Sequence, residues 1–167
     1  MPDPDGKEIA KGTRAKMAEF RKSCEGLDEK NSALAPEGRW SPRQIISHLC
    51  GPEGIGQLPM LKTFIDQDTP EIELIVEDPF WTGKRSSMSL AGLLAEFDQE
   101  YTRVAKFVEE LSAKQLSRKA HIPALKDSSL GEYPTLAEFV AGITMFHVGF
   151  HIDHMKEIST ALGVPGK

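Results

Sequence analysis

Cysteine is nearly absent from this chain. Only Cys24 and Cys50 occur in 167 residues, far apart and outside any C-x-x-C spacing. That excludes a disulfide framework and a cysteine-rich zinc site, and both are read as reduced thiols. Runs of lysine and arginine are also missing. With a formal net charge of -5 the summed field repels phosphate, so no nucleic-acid partner is expected. No apolar stretch approaches the roughly 18 residues that cross a bilayer. The opening Met-Pro-Asp-Pro-Asp-Gly is acidic where a secretory signal would be basic and then apolar. The expectation is a cytoplasmic protein with no membrane partner. Internal repeats and low-complexity tracts are lacking too, so the organisation has to be read from periodicity and caps.

What is present is ordinary globular composition, 40% hydrophobic and 27% charged, in a length typical of one domain; a single domain over 1–167 is expected. A first helix is predicted from Lys7 to Leu27, where Ile9, Met17, Phe20, Cys24 and Leu27 keep helical spacing. Asp28 to Arg39 breaks the pattern. A second helix starts at Ser41-Pro42-Arg43-Gln44, with Ser41 as N-cap, Pro42 in the first position and Gln44 closing a capping box. Its face carries Ile45, His48, Leu49 and Ile55, with an interruption at Gly51-Pro52. Asp66 to Met88 reads as a long crossover with one short strand over Ile72 to Val76. Ser89 caps a third helix with the clearest stripe, Leu90, Leu93, Leu94, Phe97, Tyr101, Val104, Val108 and Leu111. After an irregular Ser112 to Pro134, Thr135 and Glu138 form a second capping box, and the last helix runs to Gly163. Four long helices with one long connection predict an all-α fold, a four-helix bundle.

Along the last helix the core-facing series reads Leu136, Val140, Ile143, His147, His151, His154, Ile158 and Leu162, so three histidines interrupt an apolar stripe. Each buried imidazole needs a hydrogen-bond partner, and the neighbours on the stripe are apolar. A shared metal ion would meet that need. His147 and His151, four apart, can converge on one ion, with His48 on a facing helix as third ligand. Taken alone, His48 fits a satisfied core or surface histidine better than a ligand, and the pair fits either reading. His154 suits an accessory position, facing substrate or supporting a ligand. His121, beside Ile122-Pro123, fits a surface histidine. The H-x-x-x-H spacing is not that of zinc peptidases, because Val148 stands where their general base would be. Cys50 points away from His48 and is not expected to ligate. Trp40, Phe146 and Phe150 could wall a pocket, but helical spacing favours core packing for them. Asp153, Glu157 and Glu53 are conceivable helpers, with solvated carboxylates the plainer reading.

Trp40-Ser-Pro-Arg-Gln-Ile-Ile-Ser-His48-Leu49 followed late by His147-Val-Gly-Phe-His151-Ile-Asp-His154 resembles the DinB-like superfamily, which includes thiol-dependent transferases of the YfiT type. The resemblance follows the helix order of the whole chain, although these two motifs carry it. It implies a four-helix bundle with a long crossover, a homodimer, and one nickel or zinc ion on the positions matching His48, His147 and His151. Many relatives have an acidic residue three positions after the first histidine, where this chain has Gly51 and then Pro52. His154 matches a position that is often Gln or His.

Three neutral imidazoles leave coordination positions open, as in a catalytic site. The chemistry the resemblance implies is transfer of a low-molecular-weight thiol to an electrophilic small molecule. Hydrolysis of a small substrate would use the same open site. The alternatives of another class are a non-catalytic metal-binding or stress-associated protein, in which the ion staples two helices, and a helical interaction module without metal.

Overall fold

Asp5 opens the first helix, α1 (Gly6–Ser23), its carboxylate accepting from the Lys7 amide at 2.9 Å. The computed structural model describes residues 3–164. The ends of the expected 1–167 domain, with the first two residues of the acidic opening, lie outside the described residues. α1 stops short of the expected Leu27, because Cys24 caps it and Gly26 turns the chain at φ 92°, a left-handed conformation that favours glycine.

The capping box of α2 (Pro42–Cys50) forms as predicted: Ser41 Oγ accepts from the Gln44 amide at 3.2 Å, and Gln44 Oε1 from the Ser41 amide at 2.9 Å. The helix ends at Gly51, φ 76°, so its face does not continue to Ile55, which sits exposed in the following turn.

The crossover departs from expectation. Two helices that periodicity did not reveal appear, α3 (Leu58–Asp66) just before it and the single turn α4 (Gly83–Ser86) within it. No strand forms over Ile72–Val76; pairing is limited to one parallel bridge, Glu71 to His121, in which the Ile72 amide donates to the His121 carbonyl at 2.8 Å. One rung without a neighbouring strand cannot satisfy an extended backbone further, so the chain peels away. α5 (Leu90–Glu109) follows, capped by Ser89 as predicted, and then the single turn α6 (Ala113–Leu116). α5 also explains α3. The N-cap of α3, Gln57, has no side-chain cap; the buried Glu100 of α5 accepts instead from the amides of Gln57 at 2.7 Å and Leu58 at 3.1 Å.

The last helix is one run in three parts: α7 (Leu136–Ala141), a π-helical stretch (Gly142–Phe146) and α8 (His147–Ala161). The wide turns change the register. The buried line is Leu136, Val140, Thr144, Val148, Ile152, Met155 and Ile158, whereas Ile143 and His147 are only half-buried. The expected core-facing series therefore holds at Leu136, Val140 and Ile158 but slips by one residue between Ile143 and His154, which sets the histidines, the buried His151 included, at the edge of the core. α1 packs against this stretch. A Cβ at Gly12 would come within 2.5 Å of Met145 Sδ, and Thr13 Oγ1 donates to Thr144 Oγ1 at 2.9 Å.

α1, α2, α5 and the α7–α8 run make a four-helix bundle, with no strand among the described residues. One apolar cluster joins α2 and α8 to the C-terminal half of α1 and the N-terminal half of α5. A second joins α3 and α7 to the other halves of α1 and α5. No helix among the described residues is long and apolar enough to cross a membrane.

Candidate metal centre

The last turn of α2 carries His48, while His147 opens α8 directly after the π stretch and His151 follows one turn on. Their Nε2 atoms converge, His48 to His147 at 3.0 Å and His147 to His151 at 3.1 Å. One candidate ligand atom from each lies within 4.8 Å of those of the other two. Nitrogens about 2.0–2.1 Å from a tetrahedral ion would stand roughly 3.3–3.4 Å apart, so these spacings are near those of a ligand set. His48 Nδ1 is 2.6 Å from the Asp78 carbonyl oxygen. A carbonyl can only accept, so Nδ1 carries the proton and Nε2 presents a lone pair to the cluster.

Burial keeps these rings neutral. It lowers the pKa of His48 against the opposing pull of Asp78. It lowers that of His147 to about 4, with His48 adding to the effect, and that of His151 further still, where the other three histidines contribute. Neutral imidazole is the form that binds metal. Three converging nitrogens, with no carboxylate among the described residues bonded to any of the three rings, are a donor set suited to a divalent transition ion.

Behind His48 lies Arg85, 1% exposed. Its guanidinium donates to the Ser47 carbonyl at 3.1 Å, the Gly51 carbonyl at 2.5 Å and the Phe80 carbonyl at 3.3 Å, and pairs with Glu96 at 2.6 Å. A cation on the free carbonyls at the C-terminus of α2 satisfies them and complements the helix dipole. The same side chain thereby ties the end of α2 to the crossover that supplies Asp78. Sequence reasoning missed both residues: Asp78 contributes only a backbone carbonyl, and Arg85 lies on no periodic stripe.

Of the residues singled out from sequence, His48, His147 and His151 are brought together. His154 is half-buried beside them, its Nδ1 3.2 Å from His151 Nδ1, and burial lowers its pKa as well. His121 lies apart, stacked on Tyr133 at 4.6 Å between ring centroids. Glu53 accepts from Thr82, Glu157 pairs with Arg39, and Asp153 is exposed. Cys50 is packed in the core, where burial pushes its thiol pKa up. The core expectation fails for two aromatics: Phe146 is 77% and Phe150 66% exposed. The register slip at the π stretch turns them outward. Trp40 touches the core yet also faces the histidines, 5.1 Å from His48 and stacked at 6.5 Å on His151. All four site histidines and these three aromatics line one cavity of about 910 Å³.

The sequence matches the model of the DinB superfamily over residues 13–155. Among curated proteins none matches it. Among solved structures it is similar to YfiT from Bacillus subtilis, described as a probable metal-dependent hydrolase with an unusual four-helix bundle topology. That similarity has a TM-score of 0.77 at 20% identity, covering 99% of this chain and 91% of that one. The four-helix bundle fold and most of its length are thus shared with that protein, and the chain belongs to the DinB superfamily.

Proposed function

We propose that His48, His147 and His151 hold one divalent transition-metal ion, nickel or zinc, and that the single domain of residues 1–167 transfers a low-molecular-weight thiol to an electrophilic small molecule. One observation carries this reading: three neutral imidazoles converge on the wall of a cavity large enough for two small reactants. When bound, such an ion supplies Lewis acidity that stabilises a thiolate or a developing oxyanion. The chain's own part is orientation. The Asp78 carbonyl fixes the His48 tautomer, and His154 Nδ1 accepts from His151 Nδ1–H, leaving the two Nε2 lone pairs free. Trp40 packs beside the His48 and His151 rings and helps to fix their orientation. In the transfer the thiol loses its proton to solvent, and its sulfur bonds to the electrophilic carbon as that carbon's leaving group departs.

A second reading, hydrolysis of a small substrate, is favoured by the description of YfiT. A purely structural ion is disfavoured by the cavity, which gives a ligand access to the histidines. The test is elemental analysis of protein purified without a polyhistidine tag, beside His48→Ala and His147→Ala. Near-stoichiometric nickel or zinc in the parent and none in either variant is expected. The loaded protein should then consume thiol only when an electrophile is present. An ion retained by both variants would overturn the ligand set. Product formation without thiol would move the activity to hydrolysis.

A further inference from the structure

Seven large apolar side chains stand exposed among the described residues, and five of them, Ile55, Ile75, Val76, Phe146 and Phe150, line the same cavity as the histidines. Isolated exposed apolar residues are normal and scatter over a surface; a cluster round one concavity marks a binding site. These five come from four places in the chain. Ile55 lies in the turn after α2, Ile75 and Val76 in the crossover, Phe146 in the π stretch and Phe150 in α8. The crossover stretch is held on this side at some cost, since Glu77 and Phe80 take positive φ values of 57° and 50°, which residues other than glycine rarely adopt.

Charge complements this picture. Arg39, the arginine of the lining, is paired with Glu157 at 2.7 Å, and the acidic Glu73 and Glu77 lie exposed in the crossover. Apart from the ion that the histidines would hold, the wall offers an ionic ligand no buried counter-charge. The volume, about 910 Å³, is that of a small-molecule pocket, and the concavity suits a compact ligand better than a protein face.

From this we infer that the electrophilic substrate is an uncharged molecule with a bulky apolar body, held between the crossover and α8 while its reactive end meets the histidines. Which end reacts rests on the proposed function; the preference for an apolar, uncharged body rests on the cavity alone.

The two are separable by binding. N-Phenyl-1-naphthylamine is neutral, and 1-anilinonaphthalene-8-sulfonate is the same skeleton with a sulfonate, so the pair isolates charge. Titration of each into the full-length protein is followed by dye emission and by energy transfer from tryptophan. The neutral dye is expected to saturate at one per chain, at least about tenfold tighter than the sulfonate. Val76→Asp and Phe146→Asp place a charge on positions already 63% and 77% exposed, so the fold survives, as circular dichroism melts would verify. Each should weaken the neutral dye by about tenfold, the loss expected when an apolar contact is replaced by a charge that must be desolvated. Parent protein stripped of metal with a chelator should bind the neutral dye within about threefold of the untreated parent. It thereby tells failure of the metal reading, which leaves dye binding intact, from failure of this one. Equal affinity for the two dyes, or unchanged binding in both aspartate variants, would overturn the inference. So would light scattering that shows a dimer whose dissociation accompanies dye binding, for the apolar rim would then be a face between copies.

Discussion

α5 and the α7–α8 run both lay an apolar stripe against the bundle core, but only one of them is regular. In α5 the buried positions Leu90, Leu93, Phe97, Tyr101, Val104 and Val108 follow helical spacing throughout. Its buried polar groups are satisfied as well, Tyr101 donating to the Leu49 carbonyl at 2.9 Å and Glu100 accepting from the Gln57 and Leu58 amides. In the last helix the buried line advances four residues at a time through Val140, Thr144, Val148 and Ile152, because the π stretch widens the turn between them. His147 and His151 therefore stand beside the core and face a cavity. Regular spacing serves burial, whereas an interruption of it aims side chains elsewhere, which is why π stretches gather at functional sites.

If that division of labour holds, matching truncations should fail differently. Phe97→Ala removes a fully buried ring that packs on Phe20 at 4.7 Å and should cost about 3–5 kcal/mol. At roughly 2–4 °C per kcal/mol for a chain of this size, its melting temperature should fall by roughly 10 °C. Metal content at low temperature should be unchanged. His151→Ala should do the reverse, reducing metal to background while the metal-free protein stays within about 1 kcal/mol of the parent, since a desolvated imidazole is lost along with its packing. Urea midpoints and elemental analysis on the same preparations decide it. Equal loss of stability in both variants would erase the distinction.

The same contrast governs what the sequence made legible. Local signals were readable: the capping boxes of Ser41 with Gln44 and Thr135 with Glu138, and the stripe of α5, each lie within a few turns of chain. The candidate histidines could be picked out because their spacing joins the Trp40-led motif, and the fold brings the three rings together. Interactions between distant segments were not. α3 is capped by Glu100 from another helix, His48 is oriented by a carbonyl of the crossover, and Arg85 joins the end of α2 to that crossover. Nor does composition announce a π stretch, so the register of Phe146 and Phe150 was misjudged along with that of Ile143.

Acidity offers a second way to separate the helices. In metal-free protein His147 has a folded pKa of about 4, below the value of roughly 6.5 expected for an unfolded histidine. Between those values the unfolded chain holds more protons, so stability rises with pH and is lost as pH falls from about 6.5 toward 4. Urea midpoints at stepped pH should therefore decline across that window in the parent and in Phe97→Ala, with parallel slopes. His147→Ala should show a shallower decline, because one of the rings that must stay neutral is gone. Subtracting the two curves removes the carboxylates that titrate in both. A slope unaltered by His147→Ala would mean that the ring is solvated in the folded state.

The smallest effect tests what holds the irregular helix in place. Thr144 Oγ1 donates to the Val140 carbonyl at 2.7 Å and accepts from Thr13 Oγ1 at 2.9 Å, so α1 is bonded to the middle of the π stretch. Thr13 has the Ile9 carbonyl at 2.8 Å as a second acceptor, which softens the loss of the first. Thr13→Val and Thr144→Val keep the shape and each should cost about 1 kcal/mol. The double variant should cost less than the sum, by about 0.5 kcal/mol, if the hydroxyls depend on each other. Metal affinity should fall a few-fold in Thr144→Val, because His147 begins where the π stretch ends. Strict additivity with unchanged affinity would show that this bond does not set the register. The close approach of Gly12 to Met145 would then be the feature that separates the last helix from α5.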